Sequence, residues 1–298
     1  MIFLMGFFVE QFLDYLQFQR KYSNHTCVAY KNDLEEFQKF LADRFEINSF
    51  NGVSSDMVRS WVSELIGQNI KPVTVRRKVS TLRTYFKFLQ KEKRIDRSPV
   101  SNLPALKIAS QLPVTIPLES MDTILEELPA ENSYQQHLDY LIIALLYGTG
   151  CRRSEIIGLQ EQNIDLVGRQ IKVLGKRNKE RIIPITTELN DQIAIFIEIK
   201  AGEGIVSERL LVTKKNQILY PGYIYNVVKK YLTLQKMNGK RSPHILRHTY
   251  ATRLLQNGAE LLSVKELLGH SSLASTQMYT HVNIEDLKKI YKKNHPKQ

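Results

Sequence analysis

The sequence predicts a mainly α-helical protein that carries one small antiparallel β-sheet and divides into two domains. Three observations lead there. The first hundred residues place apolar side chains at helical spacing, with few glycines and no alternating β-branched run. A stretch at 96–117 holds four prolines, Pro99, Pro104, Pro113 and Pro117, and little periodicity. Between 163 and 185 apolar residues alternate on either side of a polar turn. At 298 residues the chain is long enough to bury a core in each of two domains.

Taken in order, helices are expected at 7–20, 24–43, 55–68 and 73–93, separated by polar or Gly/Pro stretches that supply caps and turns. These fall in a first domain at 1–95, followed by a linker at 96–117 and a second domain at 118–298. The second domain opens with helices at 118–128 and 133–147, the latter so apolar that it must be buried. Runs at 163–174 and 181–185, with a turn at 175–180, make the sheet, and 209–213 offers a further strand. Helices resume at 188–200, 222–236, 243–257, 262–268 and 273–279, and a last amphipathic piece covers 284–293.

A hydrophobic content of 43% with 24% charged residues is that of a globular protein and excludes a disordered or fibrous chain. Lys plus Arg number 42 against 30 Asp plus Glu, and the net +12 favours an anionic partner, nucleic acid or a membrane surface. The two cysteines, Cys27 and Cys151, exclude a disulfide framework and a cysteine-rich zinc site, which fits a reducing cytoplasmic setting. The apolar start at 1–9 has no basic region before it and runs into Glu10, so it reads as helix, not as signal peptide or membrane span.

The positive charge is local. Between Lys71 and Arg97 stand ten basic residues and two acidic ones. Val75, Val79, Leu82, Phe86 and Leu89 form an apolar stripe there, and Arg76, Arg83, Lys87 and Lys91 line a neighbouring face. A solvated surface helix would normally interleave carboxylates four residues from its lysines; their absence points to phosphate contact.

Five short patterns can carry chemistry. Gly148-Thr149-Gly150-Cys151-Arg152-Arg153-Ser154-Glu155 ends an apolar helix and precedes Ile156, Ile157 and Leu159, so Arg152 sits in a half-buried elbow and needs an anion. The hairpin tip Gly175-Lys176-Arg177-Asn178-Lys179-Glu180-Arg181 is either a solvated turn or a means of laying a lysine in a groove. In His244-Ile245-Leu246-Arg247-His248 the i, i+3 spacing puts His244 and Arg247 on one helix face. Leu267-Leu268-Gly269-His270 ends a helix with a histidine just beyond. Tyr279, one of fourteen tyrosines, lies nine residues after His270. Arginines, histidines, a lysine and a phenol, without a carboxylate cluster or paired metal ligands, suit metal-free phosphoryl transfer.

In this order and spacing the chain resembles the tyrosine recombinases of the Xer type, within the phage-integrase-like family. Thr149 to Glu155 match T-G-x-R-x-S-E, His244 to Thr252 match H-x-x-R-H-T-x-A-T, and Leu267 to Ser272 match L-L-G-H-x-S. Thr276 to His281 match T-x-x-Y-T-H. The resemblance implies catalytic roles for Arg152, Lys176, His244, Arg247, His270 and Tyr279, with Lys179 a rival to Lys176 and Glu155 a support for the arginines.

It further implies a two-domain clamp on double-stranded DNA, with a helical core-binding (SAM-like) domain contacting DNA through Arg76, Arg77, Arg83, Lys87 and Lys91. Tyr279 would form a 3′-phosphotyrosyl bond, with no cofactor and no metal. Partners implied are duplex DNA, a homo- or hetero-tetramer of recombinases on two sites joined through the 284–293 segment, and a regulatory DNA translocase, with no membrane. Resolution of chromosome or plasmid dimers is the expected task. The alternatives are a transposon or phage integrase, for whose extra arm-binding domain the chain has no room, a type IB topoisomerase, and a DNA-binding protein without cleavage.

Overall fold

The computed structural model describes residues 2–103, 115–126, 133–175, 180–235 and 241–269. The chain forms two compact units, Met1–Ser110 and Gln111–Gln298. In the first, α1 (Ile2–Asp14) runs on into a π-helical turn at Tyr15–Gln19, followed by α2 (Asn24–Phe45), α3 (Ser55–Gly67) and α4 (Pro72–Lys91). Helix α1 starts earlier than the periodicity suggested, at Ile2. The caps explain the other starts. The hydroxyl of Ser23 accepts from the Thr26 amide and that of Ser54 from the Met57 amide, each at 3.3 Å, and Pro72 fits the first turn of α4 because no amide is needed there.

Aromatic side chains fill this unit. Phe12, Phe37, Trp61, Tyr85 and Phe86 are all fully buried or nearly so, with ring centroids 5.1 Å apart for Phe12 and Tyr85 and 4.8 Å for Phe37 and Trp61. Each such burial contributes on the order of 1.5–3 kcal/mol. The stripe Val75, Val79, Leu82, Phe86 and Leu89 faces inward, as its spacing predicts. Val100, within the proline-rich stretch, packs on this core, while Ile116 packs in the second unit and donates its amide to the Thr249 hydroxyl at 3.0 Å.

The second unit comprises α5 (Leu118–Glu126), α6 (Tyr134–Thr149), α7 (Arg153–Ile157), β1 (Ile164–Asp165), β2 (Gln170–Leu174) and β3 (Glu180–Pro184), then α8 (Thr187–Gly202), α9 (Pro221–Leu234), α10 (Pro243–Gln256) and α11 (Leu261–Leu268). Helix α6 is apolar from Tyr140 to Tyr147, and α8, α9 and α10 pack against it, burying Leu138, Leu141, Ile142, Ile143, Leu145 and Leu146. The strands form an antiparallel sheet in the order β1-β2-β3, with Ile171 opposite Ile183 and Val173 opposite Arg181. The described residues are therefore mainly α with one small antiparallel sheet.

Two strand expectations are corrected. The run at 163–174 is two strands, because the Asp165 carboxylate accepts from the Gly168 amide at 2.7 Å and Arg169 takes a positive φ of 47°, reversing the chain. The stretch 209–213 makes only isolated bridges, Gln160 with Arg209 and Val212 with Ile218. The helices expected at 273–279 and 284–293 lie outside the described residues. Among the described residues, no helix is long and apolar enough to cross a membrane.

Candidate active site

Four helix ends and one strand build the site within the second unit. Helix α6 stops at Gly150, whose φ of +60° is a left-handed conformation; a Cβ there would come within 2.4 Å of the Tyr250 ring. The turn delivers Arg152 to the N-cap of α7. There the Glu155 carboxylate reaches back to accept from the Arg152 amide at 2.7 Å and from its Nη1 at 2.7 Å. Helix α10 opens with Pro243, and its first turns carry His244 and Arg247 on one face.

Arg152, His244 and Arg247 line one cavity of about 120 Å³, together with Cys151, Arg153 and Tyr225. That space is large enough to admit water or a compact anion. Burial, and then the cations Arg247, Arg153 and Arg152, push the His244 imidazole below its usual 6.5. It is therefore neutral at physiological pH and able to accept a proton. Burial pushes the Cys151 thiol up to about 11, which leaves it protonated and unreactive.

The carbonyl end of α11 ties these groups together. Arg181 Nε donates to the Leu267 carbonyl at 2.6 Å, Arg247 Nη2 to that of Leu268 at 2.6 Å, and Arg152 Nη2 to that of Gly269 at 3.0 Å. Three arginines thus bind three successive carbonyls at the negative pole of the helix. Arg247 Nη1 also donates to the Gly150 carbonyl at 2.6 Å, joining the end of α6 to the end of α11. Gly269, at φ +64°, presses close to the Arg181 side chain, where a Cβ would lie 3.2 Å from Nη1.

Arg181 reaches Glu155 with both Nη atoms, at 2.9 and 2.8 Å. Burial alone would raise the Glu155 carboxyl; the bonds from Arg181 and Arg152 outweigh it and hold the group below the ordinary carboxylate value. Sequence reading picked out Arg152, Glu155, His244 and Arg247 but gave Arg181 no role. The signal was available in the alternation of β3, where Arg181 and Ile183 face inward and Ile182 and Pro184 outward. Lys176, its rival Lys179, His270 and Tyr279 lie outside the described residues.

In the first unit, Arg76, Arg83 and Lys87 are exposed on one face of α4, at helical spacing of seven and four residues. Arg83 also donates to the Leu103 carbonyl at 2.9 Å, and the Lys91 ammonium sits 4.8 Å from the Tyr15 ring centroid. Arg77 is turned toward α2, where both Nη atoms pair with the buried carboxylate of Asp33, one of them at 2.9 Å. Lys78 and Thr81 complete that cluster, at 3.2 and 2.7 Å from Asp33. It holds α2 against α4, and Arg77 is committed to it, unlike Arg76 beside it.

Comparison with known proteins agrees with these two units. Residues 116–286 match the phage integrase family, and residues 9–93 match the phage integrase N-terminal SAM-like domain. The tyrosine recombinase XerC of Listeria innocua serovar 6a is 37% identical over 292 residues, covering 97% of each chain. That of Thermodesulfovibrio yellowstonii is 35% identical over 296 residues, covering 97% of this chain and 96% of its own. Among solved structures, the XerH site-specific recombinase bound to palindromic difH substrate in a post-cleavage complex superposes with a TM-score of 0.77. It is 20% identical and covers 95% of this chain and 83% of its own.

Proposed function

This chain belongs to the phage integrase family and is a site-specific recombinase that cuts and rejoins DNA, and from that premise we propose that Tyr279 is its nucleophile. The phenolic oxygen of Tyr279 attacks the scissile phosphorus, the bond from phosphorus to the 5′ oxygen breaks, and a 3′-phosphotyrosyl ester forms. Lys176 gives its proton to the departing 5′ oxygen, and neutral His244 takes up the proton shed by the phenol. Arg152, Arg247 and His270 neutralise the non-bridging oxygens. One phosphoester replaces another, so a 5′-hydroxyl from the partner duplex reverses the step without ATP.

The observation that carries this reading is the cavity that gathers Arg152, Arg247 and a neutral His244 from segments far apart in sequence. Their guanidiniums are already held in place before DNA arrives, so little reorganisation is left for the reaction itself.

Resolution of replicon dimers by a cytoplasmic tetramer on two DNA sites is the task this reading favours. Its support is the identity to XerC recombinases along nearly the whole of both chains. The segment 284–293, with Ile284, Leu287 and Tyr291 as an apolar stripe, would dock on a neighbouring protomer, and a DNA translocase would regulate the assembly. A supercoiled plasmid with two direct repeats of a site selected for binding should resolve into two circles in the presence of EDTA and without ATP. Reaction only between unlike sites would favour an integrase instead.

In the first unit, Arg76, Arg83, Lys87 and Lys91 contact the DNA backbone, with Arg77 held to Asp33 beside them. Reversing the charge at Arg76 and Lys87 should weaken binding and lower the slope of log affinity against log salt by about 0.9 for each lost phosphate contact. Unchanged binding and slope would make that face of α4 merely solvated.

A further inference from the structure

We propose that Arg181 is a positioning residue for strand cleavage: it holds the Glu155 carboxylate so that Arg152 meets the scissile phosphate in one fixed orientation and with its charge uncancelled. The inference rests on the reading that Arg152 binds that phosphate.

The geometry places Arg181 behind the site and not in it. It does not line the cavity shared by Arg152, His244 and Arg247, its side chain is 9% exposed, and it donates from Nε to the Leu267 carbonyl and from both Nη atoms to Glu155. Glu155 in turn is shared. Its Oε1 accepts from Arg152 Nη1 and Arg181 Nη1, and its Oε2 from the Arg152 amide and Arg181 Nη2. One carboxylate between two guanidiniums leaves a net positive charge for a ligand.

Without Arg181, the carboxylate would belong to Arg152 alone and cancel it. The fixed anchor would also be lost, because Glu155 stands in a five-residue helix and would be free to follow the Arg152 side chain outward. Arg181 further joins β3 to the end of α11.

The test compares cleavage of an ordinary duplex with that of one bearing a methylphosphonate at the scissile position, where a methyl group replaces a non-bridging oxygen and removes the negative charge. A neutral centre does not need a fully charged, fixed arginine. Arg181→Gln should cut the ordinary duplex about 100-fold more slowly than the parent, and Arg181→Lys about 10-fold, as expected for a displaced or neutralised catalytic group. Both should cleave the methylphosphonate within a few-fold of the parent, with DNA binding unchanged by mobility shift.

Parental cleavage of the ordinary duplex by both variants, or equal losses on both substrates, would overturn the proposal. Arg181→Lys keeps a cation beside Glu155 and decides the matter if the glutamine variant does not fold. Arg152→Ala is run alongside and should show the same selective rescue. If Arg152→Ala loses nothing on the ordinary duplex, the reading of Arg152 itself fails; if it behaves as expected and the Arg181 variants do not, only the positioning role fails.

Discussion

An Arg247→Ala variant loses strand cleavage by about 100- to 1,000-fold, the usual loss on removing one preorganised donor from a developing negative charge, and it melts earlier than the parent. The two effects share a cause. Arg247 is 4% exposed and bridges the carbonyls of Gly150 and Leu268, so alanine strands both acceptors in a buried site. Each unpaired carbonyl costs about 1–3 kcal/mol, and in a unit of this size each kcal/mol lowers the melting temperature by about 2–4 °C. Arg247→Lys separates the contributions. A lysine restores the charge and one hydrogen bond but not the planar fork, so it should recover part of the stability and little of the cleavage. Thermal melts read by circular dichroism and single-turnover cleavage check both; a lysine variant that cleaves like the parent would show that charge alone suffices.

A Tyr279→Phe variant binds its site as the parent does and forms no covalent adduct with it. The substitution removes one oxygen and leaves untouched the arginines proposed to bind phosphate, so affinity is retained while the atom that would bond to phosphorus is gone. Mobility shift measures the first property, and a denaturing gel of protein mixed with a nicked suicide duplex measures the second. Persistence of the adduct would remove Tyr279 as nucleophile, whatever else the arginines do.

Local patterns in the sequence picked out the residues that the structure gathers in one cavity, Arg152, His244 and Arg247. The glycine turn before Arg152 and the i, i+3 pair His244 and Arg247 were legible because each is fixed by a few neighbouring residues on a single element. Partnerships across long sequence separations were not. Arg77 looked like one more cation on a basic helix, yet it pairs with Asp33 on α2, 44 residues away. Arg181 looked like the end of a cationic hairpin, yet it pairs with Glu155, 26 residues away. Periodicity assigns a side chain to a face but not to the carboxylate it will meet there. The fold was readable for the same reason, since the apolar run of α6 and the capped helices of the first unit are local signals. The sheet was misread where alternation ran on through a reversal, because an aspartate bonding to the amide three residues later leaves the hydrophobic pattern unchanged.

The most direct measurement digests a trapped protein–DNA adduct with trypsin and sequences the DNA-bearing peptide by mass spectrometry. The peptide covering 266–288 contains a single tyrosine. The account predicts that the DNA is attached to that residue, Tyr279, through its 3′ phosphate. Attachment to any other residue, or through a 5′ phosphate, would contradict it.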